Sequence, residues 1–262
     1  MTYIMESSEE SRRLQLQAQA DDIRPLLRAT GLVPGARAFD AGCGPGEISQ
    51  AMALMVGPGG SVTGLDTSAA RLAEAARRCA DLPHARFIQG DIRNTGLPDS
   101  CFDYTWSQYV LEYLSDWEDA LGELIRVTRP GGRVVVSEID GQGLNNWPIP
   151  QHLEEGARRF ERGLASHGFD LFVGRKLFQA FRRAGLKDVR VRVVPQYVVA
   201  GAADERFMAD WTTRFAALAP AVSPAFGSEV AYREFCQAYL RMLGDPDTLK
   251  YSVLVVTEGV RA

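Results

Sequence analysis

Three glycines and two aspartates carry the clearest chemical signal in this chain. Gly42, Gly44 and Gly46 alternate within Gly42-Cys43-Gly44-Pro45-Gly46, directly after the apolar run 36–40. Glu47 follows, and then Ile48, Ala51, Met52 and Met55 recur at helical spacing. Glycines in such a turn permit backbone angles closed to other residues and put no Cβ between chain and ligand. A strand, a glycine turn and a helix N-terminus, in that order, hold nucleotide-like ligands at the end of a parallel strand. Asp66 closes a second apolar run, 61–65, about 20 residues past the turn, where an acidic side chain can bind both ribose hydroxyls. A third run, 86–90, ends in Asp91. Three successive strands thus bring polar or glycine residues to one ligand edge.

The glycine spacing separates ligand classes. A dinucleotide fingerprint reads Gly-x-Gly-x-x-Gly, its third glycine letting the helix pack close. Here Glu47 stands at that third position, and a carboxylate sits badly beside a pyrophosphate. A ligand without phosphates and with a cationic amino-acid end would not be repelled.

These residues resemble the class I S-adenosylmethionine-dependent methyltransferases. Phe39-Asp40-Ala41-Gly42-Cys43-Gly44-Pro45-Gly46 is similar to that family's first motif, Val62-Thr63-Gly64-Leu65-Asp66-Thr67-Ser68 to its second and Gln89-Gly90-Asp91 to its third. The run 97–105 resembles the approach to the fourth strand, and 125–132 the turn before the fifth. The resemblance implies an α/β, Rossmann-like, seven-stranded and mostly parallel sheet with helices on both faces. It also implies S-adenosylmethionine as cofactor, bound by Asp40, Gly42, Cys43, Gly44, Asp66, Thr67, Arg71, Asp91, Ile92 and Ser107. Within that set Arg71 lies against the adenine, Asp91 and Ile92 take the adenine amine and ring, and Ser107 passes beneath the methionine part. The segment after the fourth strand lacks the Asn-Pro-Pro-Tyr type sequence of amino methyltransferases acting on nucleic acid or protein amides. The likeness is instead to bacterial enzymes of secondary metabolites or quinone-like molecules.

Bulk properties agree. A chain of 262 residues suits one large α/β domain with inserted caps. Its net charge of −4 leaves no basic stripe for nucleic acid. Four cysteines, Cys43, Cys79, Cys101 and Cys236, show no Cys-x-x-Cys pairing, so neither a metal site nor a disulfide framework is expected. With no signal pattern and no apolar run of membrane length, the expectation is a cytoplasmic protein without a membrane partner. Oligomeric state is not readable.

Three regions are expected. Residues 1–34 form a helical arm or lid: Ser7-x-x-Glu10 has capping-box spacing for a helix over 8–20, and a second helix spans 23–29 with Pro25 in its first turn. Arg13 and Gln17 share one face of the first helix and can point at the cofactor, with Tyr3 a further contact. Residues 35–140 form the cofactor-binding core. In 141–262, strands at 189–194 and 252–257 complete the sheet, with insertions at 141–174 and 200–250. The second insertion shows two amphipathic helices, 204–218 and 228–243, rich in aromatics. Additions at a ligand edge build substrate pockets, here a largely apolar one.

Methyl transfer from a sulfonium needs alignment and exclusion of water more than acid–base help. A base is required only where the acceptor loses a proton. His152 and His167 are the candidate bases, with Asp140 and Glu138 as further carboxylates; Glu112 and Tyr113 read first as helix surface, with a substrate-facing position as the alternative. Two other readings remain open. One is a protein of this fold that keeps S-adenosylmethionine for another reaction, such as a cyclisation. The other is an NAD-type oxidoreductase, which Asp66 suits but which lacks a Tyr-x-x-x-Lys pair: Phe172, Arg183 and Pro246 stand four before the three lysines.

Overall fold

The computed structural model describes residues 22–262. The expected first helix, the capping box, Tyr3, Arg13 and Gln17 lie outside the described residues. The first described helix, α1 (Arg24–Ala29), carries Pro25 in its first turn, as expected.

The chain continues through β1 (Arg37–Ala41), α2 (Glu47–Val56), β2 (Ser61–Asp66), α3 (Ala69–Arg78), β3 (Ala85–Gln89) and β4 (Phe102–Gln108). A 3-10 turn at Leu111–Tyr113 precedes α4 (Trp117–Val127), β5 (Thr128–Trp147), α5 (Gln151–Ala165), α6 (Val173–Arg183) and β6 (Lys187–Ala200). Then come α7 (Glu205–Val222), a second 3-10 turn, α8 (Glu229–Leu243) and β7 (Leu249–Val260).

The seven strands form one sheet in the order β3-β2-β1-β4-β5-β7-β6. The first five are parallel, whereas β7 runs antiparallel to both β5 and β6. From β1 the chain winds outward to β3 and then crosses to β4 on the other side of β1. The strand order therefore reverses between β1 and β4, and ligands of such sheets bind in the crevice outside that switch point.

Alternation within the strands feeds two core layers. Leu27, Met52, Val56, Trp106 and Val135 pack on one face, beneath α1 and α2. Phe39, Leu121, Val134, Val136, Leu177 and Phe181 pack on the other, beneath α4 and α6. Phe39 and Phe102 stack across that second face with ring centroids 4.8 Å apart. At the N-terminus of α2, a Cβ on Gly46 would lie 2.7 Å from the Ala75 Cβ of α3. Close helix packing, assigned in dinucleotide sites to a later glycine, is thus met here by Gly46.

Two sequence readings need correction. The segment after β4 is not a helix from Val110 but the short turn 111–113, because Glu138 Oε1 accepts the N–H groups of Val110 (3.0 Å) and Leu111 (2.8 Å). The last two strands also run beyond 189–194 and 252–257, and β5 runs on into the insertion expected at 141–174. Gly141, Gly143, Asn145 and Asn146 are poor strand formers, yet β5 carries on through them past a register shift between Asp140 and Asn145, because β7 pairs it to Trp147.

The lengthened strands carry the helical cap formed by α5, α7 and α8. Asp204 and Ser228 cap α7 and α8 by accepting the N–H groups of Phe207 (2.7 Å) and Ala231 (3.1 Å). Phe215 meets Tyr239 edge to face at 5.4 Å, and Phe226 packs on Phe235 at 5.1 Å. Such a ring gains roughly 1.5–3 kcal/mol from burial, so this aromatic layer gives the cap a core of its own.

Candidate functional site

The glycine turn is built from both of its neighbours. Gly42 and Cys43 donate their N–H groups to Leu65 O at 2.7 and 2.8 Å, tying the turn to the end of β2. Gly42 has φ 81°, and a Cβ there would fall 2.2 Å from Val110 Cγ2. At Gly44, φ is 53° but a Cβ would meet nothing within 4 Å, so the tip of the turn lies open. The two glycines therefore differ: one fits the chain beneath it, the other leaves bare backbone toward a ligand.

Asp66 locks the arrangement. Its Oδ2 accepts the Gly44 N–H at 2.9 Å, its Oδ1 accepts the Ser68 N–H at 2.8 Å, and the residue is 7 % exposed. Ser68 caps α3 with its side chain, leaving Thr67 on the rim.

One cavity of about 970 Å³ runs from this edge into the space under the cap. Gly42, Cys43, Gly44, Asp66, Thr67, Arg71, Asp91 and Ile92 all line it. Asp40 and Ser107 lie in the sheet beneath. Asp40 accepts the Ser49 hydroxyl at 2.6 Å, and burial pushes its carboxyl up to about 7. Ser107 is fully buried, and the rim next to it is formed by Gln108 and Tyr109.

Two acidic residues of the edge are already paired. Arg93 holds Asp91 at 2.5 Å and reaches Asp116 at 3.1 Å, which keeps the Asp91 carboxyl below its ordinary range. Arg78 meets Glu47 at 2.6 Å, so the repulsion expected between Glu47 and a phosphate is weaker than the sequence alone implied.

Beyond the glycine turn the lining becomes apolar, with Phe160, Leu164, Phe169, Leu171, Trp211 and Leu218. Polar groups enter at few points. Gln142 donates to Gln196 at 3.2 Å, and Gln196 donates to the Tyr109 hydroxyl at 3.0 Å. Tyr109 adopts φ 57°, a left-handed conformation unusual for an aromatic residue. Arg214 pairs with Asp210 at 3.0 Å, its guanidinium 5.4 Å from the Trp211 ring.

The candidate bases part company. His167 lies on the cavity rim, where its Nδ1 is 3.1 Å from Gly163 O. His152 is exposed on the first turn of α5 and does not line the cavity, since that helix buries the face of Leu153, Gly156 and Phe160. Asp140 is engaged by Arg175 at 2.6 Å. Glu112, read from sequence as helix surface, is 3 % exposed and lines the cavity. The helix assumed there does not form, so the alternative position facing the cavity is the one found.

Among the described residues no cluster of three metal-ligating side chains occurs, and no helix is long and apolar enough to cross a membrane.

Residues 39–136 match the methyltransferase domain family. A demethylmenaquinone methyltransferase of Staphylococcus aureus (strain JH9) is 29% identical over 179 residues, covering 64% of this chain and 74% of that protein. An uncharacterised 37.1 kDa protein in transposon TN4556 of Streptomyces fradiae is 40% identical over 119 residues, covering 45% of this chain. The match spans only 34% of that relative's length. Among solved structures, a SAM-dependent methyltransferase from Aquifex aeolicus superposes with a TM-score of 0.57 at 17% identity, covering 97% of this chain and 99% of that one. The cyclase SpnF gives a TM-score of 0.57 at 20% identity, covering 91% and 82%. These likenesses fix the fold.

Proposed function

We propose that this chain, whose core is a class I S-adenosylmethionine-dependent methyltransferase domain, methylates a small, largely apolar organic molecule. S-adenosylmethionine is the cofactor of the domain. One observation supports the choice of acceptor: the glycine edge at the β1/β4 switch point opens directly into an apolar cavity roofed by the cap. One of the relatives, a demethylmenaquinone methyltransferase, is in keeping with that class.

The open backbone at Gly44 and the fixed Asp66 carboxylate fit a nucleoside with a bare ribose edge. Gly42, Cys43, Gly44, Asp66, Thr67, Arg71, Asp91 and Ile92 would hold it, with Asp40 and Ser107 supporting from beneath. When bound, the cofactor supplies a methyl group on a sulfonium that leaves as a neutral thioether. The chain's part is to align the acceptor and keep water out, which Phe160, Phe169 and Trp211 do from the cap.

A second reading draws on the cyclase SpnF: the same fold and site with no methyl transferred. Titration with S-adenosylhomocysteine, NAD and NADP, followed by product masses after incubation with S-adenosylmethionine, tests both. Binding of the homocysteine compound and a product heavier by one CH2 unit support the proposal. Turnover without a mass gain favours the cyclase-type reading, and binding of NAD instead overturns both.

A further inference from the structure

The cap helix α7 turns one face into the cavity. Trp211, Arg214, Phe215 and Leu218 recur there at helical spacing, and Trp211, Arg214 and Leu218 line the cavity. Thr212, Thr213, Ala216 and Ala217, on the other side of the helix, are exposed. Arg214 therefore stands on the buried side, with its side chain only 12 % exposed. A charge in such a place costs free energy unless it is paired and hydrogen-bonded. A guanidinium, unlike an amine, does not escape burial by giving up its proton.

Asp210 meets only part of that need. Its carboxylate accepts from Nε of Arg214 at 3.0 Å, one turn back on the same helix. Neither Nη1 nor Nη2 donates a hydrogen bond among the described residues. Other arginines around the cavity are more fully engaged. Arg24 gives Nε and Nη2 to Asp22, and Arg78 gives Nε to Pro45 O and Nη2 to Glu47. Arg93 uses all three nitrogens on Asp91 and Asp116. Arg71 stands at the glycine edge, among the cofactor residues. The Trp211 ring, 5.4 Å from the Arg214 guanidinium and pressed against Gly143, limits how far the fork can turn.

Resting on the methyltransferase reading, we propose that Arg214 determines acceptor specificity, and that the acceptor is an apolar molecule with one carboxylate, held by Nη1 and Nη2. The planar fork of a guanidinium matches the two oxygens of a carboxylate. A cation already half-neutralised by Asp210 suits a single negative charge. Phe160, Leu164 and Phe169 receive the apolar body of the acceptor. Anchored on the cap, the acceptor presents its other end to the glycine edge, where the methyl group is delivered. Apolar walls alone fix no such direction, and methyl transfer depends on alignment. The acids of the opposite edge do not compete for Arg214: Asp66 is held by the Gly44 and Ser68 N–H groups and Asp91 by Arg93.

The test is calorimetric titration of the full chain, loaded with S-adenosylhomocysteine, at pH 7.5. The probes are two acids, 2-naphthoate and decanoate, each beside its neutral amide. The expected result is that at least one acid binds about tenfold or more tighter than its amide. In Arg214→Gln that preference should fall to within twofold, with amide and S-adenosylhomocysteine binding unchanged. Arg214→Lys, which keeps the charge but not the fork, should retain part of it. Asp210→Asn removes the competing carboxylate and should strengthen acid binding at least twofold, a gain that a merely structural ion pair would not give. Equal binding of acids and amides by the parent chain overturns the proposal, as does a preference that persists in Arg214→Gln. So does failure of all four probes to bind to protein that holds S-adenosylhomocysteine. If Arg214→Gln does not fold, Asp210→Asn decides, and unchanged or weaker acid binding there overturns the proposal. Absence of S-adenosylhomocysteine binding in the parent chain overturns the methyltransferase reading itself.

Discussion

The carboxylate of Asp66 accepts the backbone N–H of Gly44 at 2.9 Å, so the acid at the end of β2 holds the glycine turn that follows β1. A residue expected only to meet a ribose therefore also shapes the loop next to it. Asp66→Ala removes an acceptor from two backbone N–H groups as well as the proposed ribose contact. Hydrogen bonds to a charged group contribute about 1.5–3 kcal/mol each, so S-adenosylhomocysteine affinity should drop at least tenfold by calorimetry. Affinity within twofold of the parent would mean that Asp66 serves the loop alone.

The two open-angle glycines should respond differently to alanine. Gly42→Ala drives a Cβ into Val110 and should lower stability by roughly 1–3 kcal/mol, read as a fall in Tm. Gly44→Ala has room for its methyl group but points it at the ligand, so cofactor affinity should suffer more than Tm. Equal effects of both variants on Tm would refute the distinction.

Asp40 makes stability depend on pH in an uncommon direction. Burial, with the charges of Asp66 and Glu47 adding to it, raises its folded pKa to about 7, while the unfolded value is about 4. The folded state thus binds the proton more tightly. Its stabilising contribution is whole below about pH 4 and is lost as pH rises through about 7. Asp40→Asn should flatten the decline of Tm between about pH 5 and 8 relative to the parent. Glu138 titrates in the same window, so the informative quantity is the difference between the two curves, and parallel curves would count against Asp40.

Trp211 closes the cap onto β5: a Cβ at Gly143 would lie 2.3 Å from its ring, and Tyr239 donates to Gly143 O at 2.6 Å. Trp211→Ala should cost roughly 3–5 kcal/mol, concentrated in the cap. Hydrogen exchange should quicken in α5, α7 and α8 and stay slow in β1, β2 and β4. Uniform quickening would show that cap and sheet unfold as one unit.

His152→Ala should leave kcat for methyl transfer to the small-molecule acceptor within twofold of the parent, because the His152 ring stands outside the cavity. A larger loss would bring the exposed turn of α5 back into the chemistry.

The amino-acid sequence by itself determined the ligand edge. Gly42, Gly44 and Gly46 act through backbone angles set within a few residues, and Asp66 and Asp91 take their places from the strands they terminate. Signals of that kind are local, and so they are legible as motif and spacing. It also determined the two helices of the second insertion, whose apolar period and caps at Asp204 and Ser228 are carried by the helices themselves.

Tertiary structure alone decided the rest. Whether Gly141 to Trp147 became strand depended on β7, more than 100 residues later, offering its edge. Whether Glu112 faced water or the cavity depended on Glu138 pulling Val110 and Leu111 into a turn. Tyr109 and Gln196 meet only because β4 and β6 carry them to the same end of the sheet. Each of these pairs is formed by packing between distant segments, and the burial that gives a carboxyl or tyrosine its chemistry exists only once that packing is complete.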